Sequence, residues 1–149
     1  MVERWICDSR VAEIMTREVI SVSKDQSIRE LVDMFEKYDF NSFPVEENGR
    51  LIGIVTKLNL LKAFSLGLEF RRTAYLDMIY AENVGDVMRK ATISLEVDDT
   101  VKRAIEYMVE FSLRSLPVVD NGKLVGMVSR KDVVRCLEMG DEEGGSRIP

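Results

Sequence analysis

The sequence repeats itself once, and this repeat constrains the fold more than any other feature. A shift of 73 residues, which carries Val11 onto Val84, superimposes residues 11–64 on 84–137 without a gap. A period this long indicates two copies of one supersecondary unit. The best-matched pairs are Met15 with Met88, Ser42-Phe43-Pro44-Val45 with Ser115-Leu116-Pro117-Val118, Asn48-Gly49 with Asn121-Gly122, and Gly53 with Gly126. We therefore expect two half-modules that pack together, with binding clefts between them.

Size and composition place this chain among soluble globular proteins. Each copy has about 55 residues, which is close to the size at which a lone hydrophobic core becomes marginal. With 46% hydrophobic and 32% charged residues, the composition is that of a globular domain. No apolar run approaches the ~20 residues of a membrane span, and the N-terminus does not resemble a secretory signal. We expect a cytoplasmic protein that does not associate with membranes, with Cys7 and Cys136 as reduced thiols.

Net charge and the absence of histidine exclude several classes of function. A formal net charge of −5 argues against a nucleic-acid-binding protein, which needs a basic face. Without histidine, the commonest general base and metal ligand are missing, and Ser-His-Asp or Cys-His catalysis is impossible within the chain. No metal-ligand cluster is visible. We expect a protein that is not an enzyme.

Each copy follows the order strand, helix, strand, turn, strand, helix. The first strands are predicted at residues 19–23 and 92–97. Ser27 with Glu30 forms a capping-box pattern for the first helix, and Thr100 caps its equivalent. Asn-Gly pairs predict tight hairpins in both copies. The last helices are predicted at residues 57–66 and 130–139, with Gly140 as the stop.

These elements predict an α/β fold built from two tandem repeats. The expected organisation has a lead-in at residues 1–10, a first repeat at 11–66 and a helical connector at 67–83. The second repeat follows at 84–138, and a flexible tail at 139–149. Gly53 and Gly126 fall in mid-strand, where glycine often marks a close backbone approach. Sequence alone leaves open whether the approach is to a ligand or to the other repeat.

The repeat resembles the CBS domain, which is named after cystathionine β-synthase. Residues 11–16, V-A-E-I-M-T, are similar to the family opening V-x-D-I-M-T. The family run P-V-V-D-x-x-G-x-h-h-G-h-h-[ST]-x-x-D (h, apolar) appears from Pro117 to Asp132 with a turn one residue shorter. The first repeat follows the same run but ends at Asn59, where the family usually has aspartate.

The resemblance implies a pair of βαββα CBS repeats packed face to face with pseudo-twofold symmetry, a Bateman module that here stands alone. Such modules are regulatory and bind AMP, ADP, ATP or S-adenosylmethionine in one or both clefts between the repeats. No cofactor is required. A homodimer and a regulated partner protein of unknown identity are implied. The alternative is a dimerisation or protein-interaction module that has lost its ligand.

The resemblance places ribose and phosphate at Ser129 and Asp132, where a strand gives way to a helix. A helix N-terminus suits phosphate because its backbone N–H groups are unpaired. However, S-x-x-D is also a helix cap, so these residues can cap, bind ribose, or do both. Residues from both repeats are expected to line this cleft: Thr16, Val19, Ile20, Ser42, Phe43, Pro44, Arg114, Ser129, Arg130, Lys131 and Asp132. For Val19, Ile20 and Phe43, the alternative to ligand contact is ordinary packing in the hydrophobic core.

The second cleft has a poorer set of residues. Thr56 and Asn59 replace the serine and aspartate, and a neutral amide lacks the charge assistance of a carboxylate. We expect this cleft to be weaker, differently selective or empty. Its predicted residues are Thr56, Asn59, Arg89, Thr92, Ile93, Ser115 and Pro117, and core packing is again an alternative for Ile93.

Overall fold

The chain divides into two compact units that do not coincide with the sequence repeats. The computed structural model describes residues 8–70, 78–90 and 92–144. One unit, Ile20–Thr92, is a single stretch and is called the continuous unit. The other, Met1–Val19 with Ile93–Pro149, is called the split unit. Each unit therefore combines one repeat with a short segment from the other.

The continuous unit holds a β-hairpin and its helices. Helix α1 (Ile28–Lys37) precedes strands β1 (Ser42–Glu47) and β2 (Arg50–Thr56), which pair antiparallel. Helix α2 (Lys57–Phe70) follows directly, residues 78–81 are helical, and α3 (Val84–Val87) closes the unit. Phe43, Val45 and Val55 are fully buried at its core.

The split unit repeats this arrangement. A 3-10 turn at Val11–Glu13 comes from the first repeat. It is followed by β3 (Leu95–Glu96), α4 (Val101–Glu110), β4 (Ser115–Asp120), β5 (Lys123–Ser129) and α5 (Arg130–Gly144). Strand β3 pairs parallel to β4, and β4 pairs antiparallel to β5. The α/β fold class is therefore confirmed.

Local sequence signals explain the hairpins and the helix starts. Asn48 and Gly49 have φ of 54° and 81°, and Asn121 and Gly122 have 52° and 83°. Two successive positive φ values define the type I′ turn that Asn-Gly predicts. At α1 the full capping box is present, because Glu30 N–H donates to Ser27 Oγ while Ser27 N–H donates to Glu30 Oε1.

The observed first strands are much shorter than the predicted ones. Only Leu95–Glu96 forms a strand, and in residues 19–23 a single bridge pairs Val22 with Val45. Pro44 and Pro117 explain the difference. Val22 N–H donates to the Pro44 carbonyl (3.0 Å), but proline has no N–H with which to continue a parallel ladder toward residue 20. Pro117 likewise stops β3 from extending along β4 toward residue 93.

The predicted final helices are shorter than the observed ones. Helix α2 runs to Phe70 and α5 to Gly144, so the prediction that Gly140 stops the second helix is wrong. One interior glycine disfavours a helix by only about 1 kcal/mol, and no proline lies within residues 130–144. The same helices extend into residues predicted as connector and flexible tail, at 67–70 and 139–144. The rest of the lead-in, connector and tail at residues 1–7, 71–77 and 145–149 lies outside the described residues.

Two exchanged segments, here called straps, bring each unit a piece of the other repeat. The first strap, residues 9–16, joins the split unit: Val101 N–H donates to the Ser9 carbonyl and Val11 N–H to the Asp99 carbonyl, both at 2.8 Å. The second strap, residues 82–89, makes the equivalent bonds in the continuous unit. Val11 and Val84, at matching positions of the repeat, are both fully buried. No helix within the described part of the chain is long and apolar enough to cross a bilayer.

Candidate functional site

Ser129 and Asp132 form a reciprocal cap at the start of α5. Ser129 N–H donates to Asp132 Oδ2 at 2.9 Å, and Asp132 N–H donates to Ser129 Oγ at 3.1 Å. Both residues are half-buried. The capping interpretation is therefore confirmed. The cap uses one carboxylate oxygen of Asp132 and leaves the other, Oδ1, as an acceptor in the first turn of α5. Capping by this pair is therefore compatible with ribose binding.

The first strap brings Thr16 to the same end of the split unit. Thr16 N–H donates to the Met127 carbonyl at 2.8 Å, and Met127 N–H donates to the Thr16 carbonyl at 3.0 Å. Met127 lies two residues before Ser129 on β5, and the Thr16 side chain is exposed. A threonine from the first repeat is thus fixed beside the helix start of the second.

Three basic residues belong to this helix start or adjoin it in the hydrogen-bond pattern. Arg130 Nε donates to the Leu113 carbonyl at 2.9 Å, and Arg130 N–H donates to the Arg114 carbonyl at 3.0 Å. Since only Nε is used in that side-chain bond, the terminal guanidinium nitrogens stay available to an anion. Lys131 is exposed in the first turn of α5. The split unit therefore combines a helix N-terminus with three cationic residues.

The continuous unit reproduces the same geometry without the negative charge. Thr56 N–H donates to Asn59 Oδ1 at 2.9 Å, and Asn59 N–H donates to Thr56 Oγ1 at 3.1 Å. Arg89 on the second strap exchanges two backbone bonds with Ile54, at 2.8 and 3.0 Å, as Thr16 does with Met127. Thr92 Oγ1 donates to the Arg89 carbonyl at 3.4 Å. Because Asn59 Oδ1 accepts from the backbone, the Nδ2 donor is the other polar group of this side chain.

The remaining predicted residues divide between the two units. Ile20, Ser42, Phe43 and Pro44 belong to the continuous unit. Phe43 is 0% exposed and meets the Phe35, Tyr38 and Phe40 rings in tilted and edge-on geometries, so its side chain packs in the core. Their inclusion with Ser129 in one site stays a prediction. The other predicted contacts, Val19, Ile93, Ser115 and Pro117, belong to the split unit. Val19 and Ile93 are half-buried.

The mid-strand glycines mark where the straps cross the strands. A Cβ on Gly126 would overlap the Met15 sulfur and lie 3.1 Å from the Thr16 carbonyl oxygen. A Cβ on Gly53 would lie 2.7 Å from the Arg89 carbonyl oxygen. The close approach that glycine indicated is thus to the other repeat's strap. The glycines mark the position of this contact in the sequence, but the exchange of straps between the repeats could not be read from it. The Leu113 carbonyl as the hydrogen-bond partner of Arg130 was also missed.

Within the described residues, two basic side chains have raised pKa values, and neither belongs to the candidate site. The pKa of Lys24 is raised mainly by its hydrogen bond to the Glu47 carboxylate. The pKa of Arg103 is raised mainly by its hydrogen bond with Tyr107. Both groups are exposed, so the shifts describe surface contacts rather than a chemically activated residue.

Comparison with known proteins identifies the class. The model of the CBS domain matches residues 11–66 and 84–139. The chain therefore belongs to the CBS domain family, as the resemblance predicted.

Three relatives illustrate the range of the family. Uncharacterized protein MJ0188 of Methanocaldococcus jannaschii is 33% identical over 85% of this chain and 43% of its own length. The CBS domain-containing protein YhcV of Bacillus subtilis is 28% identical, over 94% of this chain and 93% of its own length. The structure of CBSX2 of Arabidopsis thaliana in complex with AMP superimposes with a TM-score of 0.74 and 26% identity, over 88% of this chain and 97% of CBSX2. The chain spans less than half the length of the first curated relatives that it matches.

Proposed function

We propose that this chain is a regulatory module that senses an adenosine-containing nucleotide at the Ser129–Asp132 helix start. The observation that carries the proposal is the arrangement of Asp132. One carboxylate oxygen is fixed by Ser129 N–H at 2.9 Å, which orients the other, Oδ1, as a preformed acceptor. A ribose offers two hydroxyl donors, and a carboxylate is the acceptor that binds such donors most strongly. The similarity to CBSX2, whose structure contains AMP, supports the same ligand class here.

The charges at this end of the split unit favour a phosphorylated ligand. Arg130 and Lys131 flank the N-terminus of α5, and Arg114 lies directly before β4. Guanidinium groups bind phosphate oxygens in a matched fork geometry, and the dipole of α5 favours negative charge at its N-terminus. AMP, ADP and ATP are therefore preferred over neutral adenosine, and S-adenosylmethionine remains within the ligand class.

The adenine contacts are proposed from the strap and from the first repeat. Thr16 is the best supported, because its backbone is held beside Met127 and its side chain is exposed. Fully buried side chains such as Phe43 would contribute through their backbone groups. The other proposed contacts are Val19, Ile20, Ser42 and Pro44.

The second helix start is proposed as the weaker site. Asn59 preserves the cap but carries no charge, so a ribose there loses the charge-assisted bonds that Asp132 offers. Arg89, which is exposed beside Ile54, supplies one cation. One nucleotide bound tightly per chain is the expected result. Thr92, Ile93, Ser115 and Pro117 remain proposed contacts of this weaker site.

The output is proposed to be altered contact with a partner protein, in the cytoplasm and without catalysis by this chain. A ligand shifts a conformational equilibrium only when its affinity differs between the states. Self-association is part of the proposal, since Leu58 and Leu61 on α2 are 58% and 64% exposed and Val134 on α5 is 53% exposed. The same exposed apolar side chains favour the alternative, an interaction module without a ligand.

A thermal-shift panel separates these two functions. The panel contains AMP, ADP, ATP, S-adenosylmethionine, NADH, GMP and DNA oligonucleotides. A ligand at about 100 times its Kd stabilises by roughly 2.7 kcal/mol, which raises the midpoint by a few degrees for a domain of this size. Shifts with adenine compounds alone support the sensor. No shift with any compound, on protein free of co-purified nucleotide, refutes it in favour of the interaction module.

A further inference from the structure

The first strap has a feature that the capping pair does not explain. Its Met15 side chain is 8% exposed and occupies the space in which residue 126 of β5 would carry a Cβ. Glycine at position 126 leaves a hollow, and the thioether fills it. Methionine suits such a gap because its unbranched chain adapts to irregular space. The next residue along the strap is Thr16, which exchanges two backbone bonds with Met127.

These contacts fix the strap directly before the proposed ligand site. Upstream, Val11 is tied to the Asp99 carbonyl at 2.8 Å. Its downstream end is held to β5 by the Met15–Gly126 packing and the Thr16–Met127 pair. Ile14 packs against the same core, and Arg17 Nη2 donates to the Ala12 carbonyl within the strap at 3.1 Å. Beyond Thr16, the side chains of Arg17 and Glu18 are exposed. The position of Thr16 relative to Ser129 therefore depends on how Met15 sits on Gly126.

We propose that Met15 is the positioning residue of the nucleotide site, which it places by holding Thr16 against β5. This inference rests on the proposed function, because Thr16 is taken as a ligand contact. Binding groups held in place before the ligand arrives avoid the entropy loss of ordering them on binding. Loosening Met15 therefore weakens nucleotide binding while Ser129, Asp132 and the cations stay in place.

The continuous unit supplies a matched control. Met88 packs on Gly53 there, with its sulfur 3.0 Å from the position of an added Cβ, and Arg89 pairs with Ile54 as Thr16 does with Met127. A substitution at Met88 thus removes the same side chain from the same kind of joint. It does so beside Asn59 rather than beside Asp132.

The experiment measures AMP affinity by calorimetry and stability by urea unfolding for Met15→Ala, Met15→Leu and Met88→Ala. Met15→Ala is expected to raise the Kd for AMP about tenfold, and Met15→Leu, which nearly conserves volume, by less than about threefold. Met88→Ala is expected to lower stability by no more than Met15→Ala, since Met88 is half-buried, and to leave the Kd within twofold. Equal effects of Met15→Ala and Met88→Ala on the Kd, or no effect of either, overturn the proposal. If Met15→Ala does not fold, Met15→Leu is compared with Met88→Leu instead. A larger increase in the Kd for AMP with Met15→Leu supports the proposal, and equal Kd values for the two variants overturn it.

Hydrogen exchange distinguishes failure of this inference from failure of the proposed function. Thr16 N–H is bonded to the Met127 carbonyl and Arg89 N–H to the Ile54 carbonyl, so each reports on its own strap. In the free protein, Met15→Ala is expected to speed exchange at Thr16 and to leave Arg89 unchanged, and Met15→Leu, which nearly conserves volume, is expected to have a smaller effect. If the wild-type chain binds no adenine nucleotide, the proposed function fails, and with it the role of Met15 in affinity. Unchanged exchange at Thr16 refutes the positioning role even where AMP binds.

Discussion

Asp132→Asn is the substitution that separates the two roles of Asp132. Asp132→Ala is ambiguous, because it leaves Ser129 N–H without its acceptor and so disturbs the helix start as well as the ligand. The chain itself shows that an amide is tolerated at this position. At the equivalent helix start, Asn59 accepts from Thr56 N–H at 2.9 Å, the same distance as Asp132 from Ser129 N–H. Asparagine at position 132 therefore preserves the cap and removes only the charge.

The expected magnitudes follow from these contacts. A hydrogen bond to a charged group contributes about 1.5–3 kcal/mol and a neutral one about 1 kcal/mol. Loss of the charge should weaken AMP binding by about 0.5–2 kcal/mol, roughly 2- to 30-fold in Kd. Stability should fall by less than about 1 kcal/mol, since only the favourable charge at the helix N-terminus is lost.

Titration calorimetry with AMP gives the Kd, and urea unfolding gives the stability of the same preparation. A folded Asp132→Asn variant whose Kd stays within twofold of wild type would refute the assignment of ribose to Asp132. A large loss of stability would instead show that the asparagine cap of the continuous unit does not transfer to the split unit. Ser129→Ala is the companion variant, because it removes the other half of the cap and leaves the carboxylate charge.

The remaining predictions concern the second site, the turns, the caps and self-association. Asn59→Asp should allow a second AMP per chain in calorimetry, and an unchanged stoichiometry would mean that charge does not limit this site. Gly49→Ala should lower the free energy of unfolding by about 1–2 kcal/mol, because a side chain is strained at the Gly49 φ of +81°. The added Cβ would meet nothing within 4 Å, so the change measures backbone strain without a clash, and an unchanged urea midpoint would contradict it. Ser27→Ala should lower stability by about 1 kcal/mol, and at least as much as Thr100→Ala, whose cap has one bond from Arg103 N–H at 3.2 Å. Leu61→Lys should shift sedimentation toward a smaller species, and identical profiles for variant and wild type would remove α2 from the interface.

The sequence predicted those parts of the fold that depend on local chemistry. Asn48-Gly49 predicted a turn with two positive φ values, and Ser27 with Glu30 predicted the capping box, because each requires residues within four positions of one another. The Ser129–Asp132 cap could be predicted for the same reason, and its role as a ligand site stays a prediction. Strand length was predicted less well. Pro44 and Pro117 are visible in the sequence, but their missing N–H groups shorten the neighbouring strand rather than their own. This effect can be predicted only when the strand pairing is known.

The straps show why a visible repeat need not be a folding unit. Repeat detection aligns residues 11–16 with 84–89, and it assigns each segment to the repeat that follows it in the chain. Packing assigns them the other way, because Met15 fits the hollow at Gly126 and Met88 fits the hollow at Gly53. Since both joints pair a methionine with a glycine, the sequence offers either pairing on equal terms. The consequence for function is specific: the threonine beside the Asp132 helix start comes from the first repeat, so a ligand that binds both would hold one repeat's strap to the other repeat's strand.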